Sequence, residues 1–138
     1  MNDATEATSL GRQARNEGNF PVARQHYAEA AKVYREANDL LAYAHTIRHI
    51  ADVYRQERNS KEAKPLYEEA LELYRSDLNT KLLDLANTVR PYALLLEEEG
   101  DSDAAKEYWE EARNLYRSLR LEVGFSECHA HLVQLKDF

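Results

Sequence analysis

The sequence has few residues that break helices or crosslink small folds: four glycines, three prolines and one cysteine among 138 residues. Strands joined by tight turns need more glycine and proline than this, so the composition predicts helices. Charged residues make up 31% of the chain and hydrophobic residues 43%, which is typical of helices with one exposed face. The single Cys128 cannot form an internal disulfide, in agreement with a reducing compartment.

Long apolar runs and an excess of positive charge are also missing. The first ten residues are polar and include Asp3 and Glu6, so they do not resemble a signal peptide. No apolar run approaches membrane-spanning length. A formal net charge of -7 argues against a nucleic-acid partner, because phosphate binding needs clustered lysine and arginine. We therefore expect one cytoplasmic domain over residues 1–138, with neither a membrane nor a nucleic-acid partner.

A pattern of alternating small and large residues occurs three times along the chain. Within each copy the steps are four, three and four residues, which places the members on one stripe of an α-helix. Alanine lets a neighbouring helix approach, and the next ring fills the groove beside it. The pattern therefore predicts packed helix pairs. Its three copies are Ala23-Tyr27-Ala30-Tyr34, Ala63-Tyr67-Ala70-Tyr74 and Ala105-Trp109-Ala112-Tyr116.

The turn residues between these stripes divide the chain into an all-α fold of seven helices. Gly18-Asn19 and Gly100-Asp101 combine a left-handed stop with a side-chain cap, and Asn59-Ser60 is predicted to do the same without glycine. We predict three helix pairs over about 4–37, 40–76 and 80–118, followed by a final helix over about 121–136. The predicted helices are Ala4–Glu17, Phe20–Ala37, Leu40–Arg58, Lys61–Ser76, Thr80–Glu99, Ser102–Ser118 and Leu121–Lys136.

The first pair resembles the tetratricopeptide repeats. The residues that match the family's small and large positions are Leu10-Gly11, Gly18-Asn19-Phe20, Ala23, Tyr27 and Ala30. The family's period is 34 residues, whereas the stripes here are 40 and 42 residues apart, which is similar to the longer repeats of the kinesin light chain type. The resemblance implies a right-handed α-solenoid whose final helix acts as a cap. It also implies a non-enzymatic scaffold that binds a protein or peptide.

In this family the first helix of each pair lines a concave groove, so the resemblance also implies which residues face the ligand. Arginines are concentrated there, and we expect an acidic or C-terminal peptide, since guanidinium groups bind carboxylates. The alternative is that these arginines pair with carboxylates of their own scaffold. The implied groove residues are Arg12, Asn16, His45, Arg48, His49, Asp52, Arg55, Asn87, Arg90 and His131.

Two further interpretations stay open at this point. His45 and His49 are four residues apart, a spacing that can hold zinc, but the motif lacks the glutamate of a metallopeptidase, so we expect no metal, cofactor or catalytic site. Glu97 to Glu99 are interpreted as a solvated helix end. We favour a monomer; the alternative is a structural module that self-assembles through its terminal helices, with a homodimer through the last one.

Overall fold

The structure is a computed structural model that describes residues 3–136, and this range forms seven α-helices and no strand. The all-α prediction is confirmed, and each predicted helix end lies within two residues of the observed one. None of the described helices is long and apolar enough to span a bilayer. The helices are α1 (Asp3–Asn16), α2 (Phe20–Glu36), α3 (Leu40–Gln56), α4 (Ser60–Ser76), α5 (Leu82–Glu98), α6 (Ser102–Ser118) and α7 (Glu122–Lys136).

One turn geometry joins most neighbouring helices. Gly18 ends α1 at φ 78° and Gly100 ends α5 at φ 84°. The amide nitrogens of Gly18 and the following Asn19 bond back to Arg15 and Ala14, the pattern of a Schellman motif. Asn19 then caps α2 by accepting a hydrogen bond from the backbone of Val22. Non-glycine residues adopt the same left-handed stop at Asn38, Arg58 and Arg120. The stop predicted at Asn59 therefore lies one residue earlier, at Arg58, and Asn59 is the cap of α4. The stops at Asn38 and Arg120 were not predicted.

The junction between α4 and α5 differs from the others. Asp77 is extended at φ -111° instead of left-handed, and no side chain caps the start of α5. Helix α5 therefore begins at Leu82, two residues later than the predicted Thr80. Backbone contacts divide the chain at this junction into a first compact unit, which ends at Leu78, and a second, which begins at Asn79. The single domain over residues 1–138 stays a prediction.

The two small–large stripes on α2 and α4 belong to the core of the first unit, together with buried residues of α1 and α3 such as Ala14 and Val53. The alanines of the two stripes are fully buried, and Tyr27 and Tyr67 are at most 1% exposed. Tyr34 is only half-buried, because it packs against the short side chains of Ala4 and Ala7. Leu10, which matches a tetratricopeptide position, is 40% exposed.

The core of the second unit is built on the third stripe. Ala105, Trp109 and Ala112 are fully buried, and Tyr116 is 4% exposed. Helix α6 packs against α5 on one side and α7 on the other, and the ring of Tyr92 meets that of Tyr108 edge to face at 4.8 Å. The final helix, α7, thus covers α6, as we predicted for a capping helix.

Gly124 is the point of closest approach between α7 and α6. A Cβ atom there would lie 2.7 Å from the ring of Tyr116. Replacing glycine by alanine inside a helix normally stabilises it by about 1 kcal/mol. Here we expect Gly124→Ala to lower the free energy of unfolding by about 1–3 kcal/mol, because the ring must move. Urea unfolding followed by circular dichroism measures this change in stability. The control is Ser126→Ala, because Ser126 is exposed on the same helix. A stabilised Gly124→Ala variant would contradict the close packing.

Candidate functional site

The predicted ligand-facing residues of the first unit lie on α1 and α3, and a hydrogen bond joins these helices. Arg15 donates from Nε to Oε1 of Gln56 at 2.5 Å. Arg15 also bonds the hydroxyl group of Tyr27, which reaches this surface from α2. Arg12 and Asn16 are exposed beside it. We name this surface the α1–α3 face; it comprises Arg12, Arg15, Asn16, His45, Arg48, His49, Asp52, Arg55 and Gln56.

Asp52 is the buried centre of this face. It is 5% exposed and accepts two hydrogen bonds, from Tyr67 Oη at 2.5 Å and from Arg48 Nη1 at 2.9 Å. Burial and the charge of Asp52 raise the pKa of Tyr67, so its hydroxyl group stays protonated and donates. Arg55 also bonds Tyr67. Asp52 therefore holds the scaffold together, and Arg48 is neutralised within it.

The two histidines of α3 contact each other. Their Nε2 atoms are 3.1 Å apart, and the ring of His49 stacks on Tyr27 at 5.4 Å between centroids. Burial, followed by the charge of Arg48 and of other nearby cations, lowers the pKa of His49 to about 2. His49 is therefore neutral at physiological pH. Within residues 3–136 no group of three or more histidine, cysteine, aspartate or glutamate side chains is placed to hold a metal ion.

Positive charge remains on the α1–α3 face after these pairings. The face has four arginines and one aspartate, and Arg48 uses that aspartate. Within the described chain, Arg12, Arg15 and Arg55 form no ion pair, and Arg15 bonds a neutral glutamine instead. The Nε atom of Arg55 is buried without a hydrogen-bond partner among the described residues. The arrangement can attract an anionic ligand, because three guanidinium groups lack a carboxylate.

In the second unit the predicted ligand-facing residues are bonded within the scaffold. Arg90 Nη1 pairs with Glu127 Oε2 at 2.9 Å, and Asn87 Oδ1 accepts from the hydroxyl group of Tyr116 at 2.7 Å. His131 Nδ1 lies 2.9 Å from an oxygen of Glu97. We name this surface the α5–α7 face; it comprises Asn87, Arg90 and His131. Here the alternative interpretation applies, because Arg90 pairs with a carboxylate of its own scaffold.

Glu97 is a half-buried hydrogen-bond acceptor and not a member of a solvated helix end. Its Oε1 accepts from Trp109 Nε1 at 3.0 Å, and Trp109 stacks on His131 at 4.1 Å between ring centroids. The interpretation of Glu97 as solvated was therefore wrong. The sequence contained a pattern that could have indicated this contact. Glu97 lies twelve residues before the ring of Trp109, and Arg15 and Arg55 lie twelve residues before the equivalent rings of Tyr27 and Tyr67.

Cys128 is fully buried against α6. Burial, with a smaller contribution from the charge of Glu127, raises the pKa of its thiol to about 11. The thiolate is the nucleophilic form of cysteine, so Cys128 has no nucleophilic role at neutral pH.

Comparison with known proteins agrees with the helical fold described above. A family model described as tetratricopeptide repeat matches residues 3–76. The crystal structure of BtubC (BKLC) from P. vanneervenii is similar over 97% of this chain, with a TM-score of 0.71 and 17% sequence identity. The chain spans 63% of the length of BtubC, less than two thirds. No curated protein sequence matches the chain significantly.

Proposed function

Because the chain belongs to the tetratricopeptide repeat family, as its residues predicted, we propose that it is a non-enzymatic scaffold that binds an acidic peptide segment of another protein on the α1–α3 face. Tetratricopeptide repeats mediate protein–protein interaction. The observation that supports an acidic ligand is the set of three arginines without carboxylate partners on a chain of net charge -7. A cytoplasmic location is part of the proposal.

The ligand contacts follow from the chemistry of this face. Arg12 is exposed and Arg15 is half-buried, so both can reach a ligand carboxylate. Each charge-assisted hydrogen bond of this kind contributes roughly 1.5–3 kcal/mol where water is partly excluded. Asn16 and His45 offer polar atoms at the edge for peptide amide groups. The Asp52 network fixes α3 against α4, which keeps the face in one geometry before the ligand arrives.

The α5–α7 face contributes less in this proposal. Arg90 is engaged by Glu127 and His131 by Glu97, so a ligand carboxylate must compete with an existing partner. We therefore expect substitutions of Asn87, Arg90 or His131 to weaken acidic-peptide binding less than substitutions of Arg12 or Arg15.

A pair of charge-reversal variants tests the α1–α3 face. We expect Arg12→Glu to weaken binding of a labelled peptide of alternating glutamate and alanine by roughly tenfold or more, because one charge-assisted bond is replaced by repulsion. Lys32→Glu changes the net charge equally on the exposed surface of α2 and should change affinity by less than about twofold in physiological salt. Fluorescence anisotropy measures both.

The matched lysine–alanine peptide is the specificity control. We expect it to bind much more weakly than the glutamate peptide. Equal binding of the two peptides, no binding of the acidic one, or equal effects of Arg12→Glu and Lys32→Glu would contradict the proposed site.

A second candidate is self-assembly through α7, and one observation favours it. Val123 is 86% exposed and Val133 is 48% exposed, on a stripe of α7 that also includes the exposed Ser126 and Ala130. An apolar stripe facing water is a possible contact between copies. A molecular mass that rises with concentration in light scattering, and returns to the monomer in Val133→Glu, would favour this candidate over a monomeric peptide binder.

A further inference from the structure

A cavity of about 290 Å³ lies between α6 and α7, apart from the α1–α3 face. Its walls are Lys106, Glu110 and Arg113 of α6 and Leu132 and Lys136 of α7. We propose that this cavity binds a small soluble phosphate, either inorganic phosphate or a compact phosphate monoester. The site is independent of the peptide-binding proposal, because all of its residues lie in the second unit.

The charge of the lining fits a dianion. Among the described residues, three cations and one carboxylate line the walls and give them a formal charge of +2, on a chain whose net charge is -7. A phosphate group carries about -1.5 to -2 charges at pH 7 and matches this surplus, whereas a carboxylate matches only half of it. Within the described residues, Lys106 and Arg113 form no ion pair that would already neutralise them.

Arg113 is the donor in the cavity that fits phosphate best. Its Nε is buried and has no hydrogen-bond partner in residues 3–136, while the side chain as a whole is half-buried and lines the cavity. Phosphate oxygens match the planar fork of donors that a guanidinium group presents. The charge of Arg113 reaches Cys128 on α7, so the group lies at the junction of the two helices.

Helix geometry holds the other groups around Arg113. Lys106, Glu110 and Arg113 are at steps of four and three along α6 and share one face, and Leu132 and Lys136 share a face of α7. Leu132 is 9% exposed and gives the cavity an apolar wall. The volume lies at the lower limit of ligand pockets, which fits a small monoester and not a nucleotide.

The binding test uses the full chain and nuclear magnetic resonance. Titration with inorganic phosphate, and separately with butyl phosphate, is expected to produce saturable shifts in the amides of residues 106–113 and 132–136. Acetate at the same ionic strength should produce smaller shifts. A tighter fit for butyl phosphate would place its alkyl group on Leu132, and a tighter fit for inorganic phosphate would leave that wall unused; either result supports the site. The absence of saturable shifts with both phosphates would overturn it.

Three variants assign the effect to the cavity. Arg113→Ala should weaken phosphate binding by roughly tenfold or more, since the bidentate donor is lost. Glu110→Gln should strengthen binding by about twofold to fivefold, because it removes the one negative charge among the described lining residues. Lys106→Gln should weaken binding, whereas the control Lys32→Gln, which makes the same charge change on α2, should not.

The expected increase in phosphate affinity of Glu110→Gln tests the site even if Arg113→Ala destabilises the fold. Glu110 is exposed, and glutamine preserves the shape of its side chain. Unchanged affinity in Glu110→Gln, or equal weakening by Lys106→Gln and Lys32→Gln, would refute the site and reduce the effect to general charge.

Discussion

Replacing Asp52 by alanine is expected to lower the free energy of unfolding by about 3–5 kcal/mol, because it removes one partner of a buried ion pair and leaves the other charged. The carboxylate is 5% exposed and serves Arg48 and Tyr67 at once. The side chain of Arg48 is only 14% exposed, so water cannot fully replace the lost partner. The hydroxyl group of Tyr67 loses its acceptor in the same step.

Urea unfolding followed by circular dichroism measures this loss, and graded variants separate its parts. Asp52→Asn keeps an oxygen that can accept from Tyr67 but removes the charge that Arg48 needs. Tyr67→Phe removes the hydrogen bond to Asp52 while the charge pair of Asp52 and Arg48 remains, and it should cost about 1–2 kcal/mol. The control is Glu57→Ala, which breaks the half-exposed pair with Arg24 and should cost less than about 1 kcal/mol. An Asp52→Ala variant no less stable than this control would show that the network does not stabilise the first unit.

In the second unit the largest effect is expected from Trp109→Ala, a loss of about 3–5 kcal/mol in the free energy of unfolding. Trp109 is fully buried at the centre of the third stripe, where the neighbouring alanines cannot fill the space that its removal would leave. Two polar groups also lose their contact: Glu97 loses the indole donor, and His131 loses the stacked ring.

Trp109 is the only tryptophan in the chain, so this variant requires circular dichroism and not fluorescence. Trp109→Phe keeps an aromatic ring but removes the bond to Glu97 and part of the buried volume, so it should give a smaller effect than alanine. The exposed Glu107 on the same helix supplies the control, because Glu107→Ala should change stability by no more than about 0.5 kcal/mol. If Trp109→Ala destabilises no more than Glu107→Ala, the proposed core of the second unit is wrong.

Local chemistry explains why the helices could be predicted so closely from the sequence. A stripe such as Ala63-Tyr67-Ala70 and a cap such as Asn59 act within one or two helical turns, so residues near in sequence contain the information. The one start predicted two residues early, at Thr80, lies where no side chain caps the helix. The left-handed stops at Asn38 and Arg120 were missed, and the one at Arg58 was placed one residue late, because glycine usually marks such stops.

The candidate site depended far more on distant contacts. The sequence placed an arginine-rich surface on the first helices of the pairs, but it left open which arginines would be neutralised. Arg48 and Asp52 are four residues apart on α3, so the sequence allows them to pair on one helix face. The structure adds that Asp52 is buried and also accepts a hydrogen bond from Tyr67, which the sequence did not indicate. Arg90 and Glu127 are 37 residues apart, and no local rule predicts that pair.

Periodicity and turn residues alone therefore determined that this chain forms seven helices with small–large seams, and the resemblance of the first pair indicated the tetratricopeptide family. Only the tertiary structure decided which charges stay available, leaving Arg12 and Arg15 without carboxylates, engaging Arg48 and Arg90, and drawing Glu97 inward to Trp109. The reason is physical: backbone hydrogen bonds and helix faces are set by near neighbours, whereas the partner of a long charged side chain is set by whichever helix packs within its reach.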